Sequence, residues 1–267
     1  MPGFAKAKQH GFSHVECQFP YAAAPEAVAA ELEEYGLSLV TINLPAGDWE
    51  KGERGLAILP GRHDDFRRAL EEGVRYALAL GAPRLHCMAG VVPADLPRER
   101  AKEIYMRRLD EAAAALGVHG LTLTIEPINP FDMPGYFLTD IDEVVAIIRA
   151  LGRANVKVQY DIYHMARLGR DVTATFAAYE PLIDHVQFAD APGRHEPGTG
   201  ALVGEPENRL WRHGGDFAGL FSARRRHSAQ PAAGSVERNR QHQPQIRASD
   251  CEYFPCWRRQ FAPACVV

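Results

Sequence analysis

Short apolar, β-branched runs alternate with helical patterns through residues 12–200 of this 267-residue chain. Strands that alternate with helices are typical of parallel β-α-β units. The alternation therefore predicts an α/β fold, with its chemistry at the carboxyl ends of the strands. The predicted strands are Val15–Phe19, Leu39–Leu44, Arg84–Met88, Leu121–Ile125, Val156–Tyr160 and His185–Ala189.

The segments between these runs carry helical spacing. Phe66, Leu70, Val74 and Leu78 recur every four residues and predict one buried stripe, which ends before Gly81. Comparable patterns begin at Pro25, run from Arg98 to Leu116, and follow the capping box of Thr139 and Asp142 up to Leu151.

Six parallel strands fit either an open doubly wound sheet or part of a barrel. An open sheet of this kind favours a glycine-rich phosphate loop after its first strand. Here Val15–Phe19 runs directly into Pro20 and Tyr21, so the sequence favours the barrel.

Residues 201–267 differ in composition from the rest of the chain. Residues 1–200 carry 20 Lys and Arg against 28 Asp and Glu, whereas residues 201–267 carry ten arginines, no lysine and six acidic residues. We expect a barrel domain over 1–200 and an atypical tail over 201–267. The tail is either a disordered basic segment that touches nucleic acid or, as we favour, the product of a reading frame that shifts near Gly200.

Several classes of protein are disfavoured. No run approaches the roughly 20 apolar residues that span a bilayer, and the first residues lack the apolar core of a secretory signal. Five cysteines at irregular spacing form neither a disulfide framework nor a CxxC metal site. These features predict a cytoplasmic protein with no membrane partner, and the acidic balance of residues 1–200 argues against nucleic acid. A homo-oligomer is compatible with the sequence.

Oxygen-bearing side chains end three successive strand runs, at Glu126, Asp161 and Gln187. A carboxylate at such a buried position requires a cationic or metal partner, or a raised pKa. Three oxygen donors on neighbouring strand ends predict a site for a hard cation such as Mg²⁺ or Mn²⁺, whereas zinc would favour more His or Cys.

Three other polar residues near strand ends have ordinary explanations. Asn43 fits a turn residue, His86 fits a hydrogen-bonded core histidine, and Asp48 fits a helix or turn cap. Taken alone, none of them predicts a site.

Several longer motifs lie at or after the predicted strands. They are Asn43–Trp49, Gly52–Gly55 with Pro60–Arg62, Ile125–Asn129, Gln159–His164 and His195–Gly200. Over about residues 4–200 these motifs resemble those of the hydroxypyruvate isomerases, a group in the xylose-isomerase-like barrel superfamily. The close relatives called 2-oxo-tetronate isomerases share the same motifs.

The resemblance implies a (β/α)8 TIM barrel that interconverts hydroxypyruvate and tartronate semialdehyde, a step of glyoxylate metabolism. Its substrate is then a small hydroxy-carbonyl acid. By position, Glu126 matches a metal ligand that also serves as an acid/base residue, and Asp161 and Gln187 match further metal ligands. Arg194 could hold the substrate carboxylate, although a surface ion pair explains it nearly as well. The residues implied to lie near the substrate are Asn43, His86, His164 and Arg194.

Two parts of the family pattern are not recognisable. The first strand is missing, and the last strand, which carries the second acid/base glutamate, is missing or replaced; Glu252 matches the local letters but lies late in the chain. An incomplete barrel exposes strand edges. We therefore expect poor solubility and little isomerase activity from the chain as written.

Three alternatives stay open. One is another enzyme of the superfamily, such as a sugar epimerase or an inositol-pathway dehydratase, which Gln187 and Pro45–Trp49 disfavour. Another is a DNA-repair endonuclease, which would need a histidine-rich zinc site and a basic groove. The third is an inactive barrel fragment that retains its metal ligands by descent only.

Overall fold

The computed structural model describes residues 2–194 and 265–266. The chain divides into two compact units, Met1–Phe188 with Phe261–Val267, and Ala189–Gln260. The predicted domain boundary at residue 200 and the predicted tail lie outside the described residues and stay predictions. None of the helices in the described part is long and apolar enough to cross a membrane.

Helices and strands alternate as predicted, except that the predicted strand Leu39–Leu44 is divided into two short strands that lie in different sheets. The helices are α1 (Pro2–Gln9), α2 (Pro25–Tyr35), α3 (His63–Leu80), α4 (Arg98–Gly117), α5 (Ile141–Leu151), α6 (Ile162–Arg167) and α7 (Val172–Tyr179). The strands are β1 (His14–Glu16), β2 (Ser38–Leu39), β3 (Ile42–Asn43), β4 (Arg84–His86), β5 (Thr122–Ile125), β6 (Val156–Asp161), β7 (Ile183–Gln187) and β8 (Cys265–Val266). The last strand predicted before residue 200 therefore begins two residues early, at Ile183.

Helix α3 shows how the apolar spacing becomes a buried face. Phe66 and Leu70 are buried as predicted, but Leu78 is 49% exposed. A spacing of four residues exceeds the 3.6-residue helical turn, so the predicted stripe rotates by about 40° at each step. Tyr76 and Leu80 occupy the buried face at the end of the helix instead.

The strands β3 to β7 form one parallel sheet in chain order. Parallel strands β1 and β2 lie in a second sheet, and the backbone of residues 38–43 joins the two, since the Asn43 N–H donates to the Gln18 carbonyl at 2.8 Å. The two sheets together form a curled layer, in which the Glu16 side chain of β1 contacts His185 and Gln187 of β7. The β7 edge has no paired strand within the described residues.

Strand β8 lies on the outer edge of β1 and runs antiparallel to it, with Val15 opposite Val266. A (β/α)8 barrel has eight parallel strands. Within the described residues, β8 therefore covers the β1 edge without adding a parallel strand, in agreement with the predicted incomplete barrel.

Side chains alternate along the strands between two faces of the sheet, one that packs against the helices and one that lies inside the curled sheet. Leu123 and Ile125 of β5 are fully buried, whereas Thr124 donates to the Gln159 side chain at 3.4 Å. On β6, Tyr160 donates to the carbonyl of Val172 at 2.7 Å, toward the helical layer. The opposite face of these strands therefore carries Thr124, Gln159 and their neighbours two residues along.

Candidate active site

The carboxyl ends of neighbouring strands bring the predicted polar side chains to one edge of the sheet. Strand β4 ends at His86, β6 at Asp161 and β7 at Gln187, and Glu126 directly follows β5. His86, Glu126 and Asp161 are each at most 5% exposed. The structure thus brings together the residues that the sequence placed at separate strand ends.

Glu126 lies among polar groups from three elements. Its Oε2 accepts a hydrogen bond from Gln159 Nε2 at 2.8 Å. The same oxygen lies 3.7 Å from His86 Nε2, and Oε1 lies 3.5 Å from His164 Nε2. Both imidazole nitrogens therefore lie within ion-pair distance of the carboxylate.

Asp161 uses its two oxygens differently. Oδ1 accepts from the Tyr163 backbone N–H at 2.8 Å and so caps the start of α6. Oδ2 lies 3.5 Å from His164 Nε2. Ligand atoms of Glu126, Asp161 and His164 all lie within 4.8 Å of one another.

His164 is held by Asn129, and this contact determines its chemistry. Asn129 Oδ1 accepts from the backbone N–H groups of Phe131 and Asp132, which leaves the amide NH2 2.7 Å from His164 Nδ1. Since an amide NH2 only donates, Nδ1 is the acceptor, and a neutral His164 carries its proton on Nε2. Nε2 is therefore better suited to donate toward Glu126, Asp161 or a substrate oxygen than to bind a metal ion.

His86 is neutral at physiological pH. Burial, followed by the nearby His185 and His164, lowers its pKa to about 3. Its Nε2 is buried and has no hydrogen-bond partner among the described residues. His86 is therefore not a fully hydrogen-bonded core histidine. Its Nε2 is available to form a hydrogen bond with a bound molecule, as donor or as acceptor.

Sequence reasoning missed Glu16, His185 and Gln159. Glu16 ends β1, is 2% exposed, and accepts hydrogen bonds from His185 Nε2 and from Gln187 Nε2, the latter at 2.5 Å. Gln159 Nε2 lies 3.1 Å from Gln187 Oε1. Glu16 lacks the signal that marked Glu126, since Val15 is the only apolar residue among the three that precede it.

The other predicted residues are placed as follows. Asn43 ends β3 beside His86, and its backbone carbonyl accepts from the Tyr21 hydroxyl at 2.5 Å. Asp48 caps a turn, since it accepts from the backbone N–H groups of Glu50 and Lys51. Arg194 belongs to the second unit, and its contact with substrate stays a prediction. Glu252 lies outside the described residues.

The oxygen donors of this site fit a hard divalent cation. Glu126 and Asp161 contribute carboxylates, and Gln187 contributes a carbonyl oxygen that lies 3.1 Å from Gln159 Nε2, the atom that also donates to Glu126. Oxygen ligands suit Mg²⁺ and Mn²⁺. Because Asn129 directs the His164 proton to Nε2, we regard Gln187 as a better third ligand than His164.

Two cysteines directly follow site residues. Cys17 and Cys87 are buried, and burial raises the pKa of both thiols to about 12. Since the thiolate is the reactive form, we expect both to resist iodoacetamide in the native protein at pH 8 and to react after denaturation in urea. Peptide mass spectrometry measures this, and alkylation of either peptide in the native sample would contradict it.

Known proteins share the fold and the sequence. Residues 4–242 match the family described as xylose isomerase-like TIM barrel. The chain is 45% identical to a 2-oxo-tetronate isomerase from Cupriavidus necator, over 74% of this chain and 76% of the relative. It is 42% identical to hydroxypyruvate isomerase from Escherichia coli, over 74% of this chain and 77% of the relative.

A solved structure has the same fold as this chain. A crystal structure named AP endonuclease, family 2, from Brucella melitensis superposes with a TM-score of 0.74 at 36% identity and covers 84% of this chain and 82% of that one. The names of the two sequence relatives confirm the predicted isomerase class, and the fold matches the predicted TIM barrel. The chain belongs to the xylose isomerase-like TIM barrel family.

Proposed function

We propose that this isomerase interconverts hydroxypyruvate and tartronate semialdehyde. The observation that carries the proposal is the buried Glu126 carboxylate, which lies beside a neutral His86 whose Nε2 has no partner among the described residues. The 42% sequence identity to the E. coli hydroxypyruvate isomerase supports the choice of substrate.

The reaction moves a carbonyl group between adjacent carbons. Glu126 removes a proton from the carbon that bears the hydroxyl, and the C–H electron pair forms the double bond of an enediolate. A proton returns to the neighbouring carbon, and a hydroxyl proton passes between the two oxygens, so that no atom is gained or lost. In this proposal His86 and His164 hydrogen bond with the two substrate oxygens as their charge changes, which is supported by the positions of their Nε2 atoms 3.7 Å and 3.5 Å from the Glu126 carboxylate.

Glu126, Asp161 and Gln187 would hold a divalent cation, Mg²⁺ or Mn²⁺. Such an ion would supply positive charge that stabilises negative charge on the substrate oxygens. Arg194 would hold the substrate carboxylate in a bidentate pair, and Glu252 stays the predicted second acid/base residue. A cytoplasmic location and a homo-oligomeric state also stay predictions.

A second substrate is favoured by the 45% identity to the 2-oxo-tetronate isomerase. That candidate uses the same proton transfer on a longer hydroxy-carbonyl acid. The name of the Brucella structure makes DNA a third candidate ligand, although residues 1–200 carry 28 acidic against 20 basic residues, which disfavours a DNA groove.

The test is a coupled assay of the full chain with each acid, before and after EDTA, and after addition of Mn²⁺. We expect turnover of hydroxypyruvate that falls at least about tenfold when the metal is removed and returns with Mn²⁺. Turnover equal to that of the E. coli enzyme would contradict the expected low activity. Absence of turnover together with salt-dependent binding to abasic duplex DNA would overturn the proposed function.

A further inference from the structure

We infer that Glu16 is the positioning residue for Gln187, because its carboxylate holds the Gln187 amide in the orientation that turns Oε1 toward the site. The inference rests on the proposed function, in which Gln187 supplies an oxygen ligand. It concerns a residue that lies 171 positions away in the chain.

Glu16 is a carboxylate that is 2% exposed and whose two oxygens are both engaged. Gln187 Nε2 donates to Oε2 at 2.5 Å, and His185 Nε2 donates to Oε1. Both donors belong to β7, whereas Glu16 ends β1. Both hydrogen bonds to the Glu16 carboxylate therefore come from β7, across the interior of the curled sheet.

The two ends of a glutamine amide have nearly the same shape, so hydrogen-bond partners decide which way the amide points. An ionised carboxylate only accepts hydrogen bonds. The Gln187 NH2 group therefore faces Glu16, and the carbonyl oxygen faces the opposite way, where Gln159 Nε2 reaches it at 3.1 Å.

Gln159 connects Gln187 to Glu126, the predicted base, through hydrogen bonds. Gln159 Nε2 donates to Glu126 Oε2 at 2.8 Å and also lies 3.1 Å from Gln187 Oε1, while Gln159 Oε1 lies 3.4 Å from the Thr124 hydroxyl. Glu126, Gln159, Gln187 and Glu16 are therefore linked by hydrogen bonds, in which Gln159 donates to both Glu126 and Gln187, and Gln187 donates to Glu16. Glu16 accepts from the Gln187 NH2 group, and an acceptor of this kind orients a metal-binding side chain and raises the electron density on its ligand oxygen.

The first experiment compares the side-chain amide signals of Gln187 in ¹⁵N-labelled full chain, with the signals assigned by their loss in Gln187→Ala. We expect a shifted, slowly exchanging NH2 pair in the wild type and collapse of that shift in Glu16→Ala. Glu16→Gln, which preserves the packing, should also move the pair, since an amide can accept from only one of the two donors. Unchanged Gln187 signals in both variants would overturn the inference.

The second experiment measures Mn²⁺ affinity by electron paramagnetic resonance. Glu16→Ala should weaken binding by about 10- to 100-fold. Since Glu16 acts through Gln187, the double variant should bind no more weakly than Gln187→Ala alone, and a further loss in the double variant would show that Glu16 acts by another route. If Gln187→Ala itself leaves the affinity unchanged, the proposed ligand set fails, while the amide signals still decide the role of Glu16.

Asp184 provides a matched control. It also lies on β7, and it accepts from Arg84 Nε of β4 at 2.6 Å. Asp184→Asn should lower the urea midpoint while leaving the Gln187 amide signals and the Mn²⁺ affinity as in the wild type. A loss of affinity equal to that of Glu16→Ala would mean that any disturbance of β7 has this effect, and would overturn the inference.

Discussion

Replacement of Glu126 with glutamine is expected to lower kcat for isomerisation by about 1,000-fold, because the amide keeps the shape of the side chain but cannot take up the substrate proton. The hydrogen bond from Gln159 can survive, since the amide oxygen still accepts it. We therefore expect a smaller change in KM than in kcat and a urea midpoint close to that of the wild type. Steady-state kinetics and urea denaturation measure these quantities.

Glu111→Gln is the matched control. Glu111 is a half-buried glutamate of α4 that lies 2.7 Å from His63, outside the site. Its replacement should leave kcat within about twofold, since a surface ion pair contributes little. If Glu126→Gln retains more than a tenth of the wild-type kcat, Glu126 is not the base.

Replacement of Gly55 with alanine is expected to destabilise the protein by about 3 kcal/mol. Gly55 has a φ of 129°, and a Cβ atom built on it would lie 2.4 Å from the Met88 carbonyl oxygen. The neighbour is backbone, so no side-chain rotation can relieve the clash. The loops after β3 and β4 pack closely at this point, and the adjoining Gly90 approaches the Gly55 carbonyl in the same way.

Gly52→Ala separates the clash from the cost of a positive φ. Gly52 has a φ of 86°, but a Cβ atom there would meet nothing within 4 Å. Its replacement should cost about 1 kcal/mol. Urea denaturation of both variants checks the difference, and equal losses would show that close packing of the two loops is not the cause.

The structure changes the hydrogen-bonding roles that the sequence indicated for two histidines. His86 was indistinguishable in the sequence from a core histidine, and its lack of a hydrogen-bond partner among the described residues became visible only once its neighbours were placed. His164 was expected near the substrate. It lies 3.5 Å from both carboxylates, and the contact with Asn129 identifies it as a donor. No spacing rule predicts that contact, because it depends on how the loop after β5 turns back over α6.

The pattern along the chain was sufficient to predict the alternating strands and helices and the placement of Glu126, Asp161 and Gln187 at one edge of the sheet. The physical reason is local: periodicity defines each element, and the carboxyl ends of parallel strands share an edge. The pairing of Glu16 with Gln187 required the folded chain, because β1 and β7 meet only where the sheet curls. Curvature arises from the packing of the whole sheet, and it therefore sets which buried groups across the interior become partners.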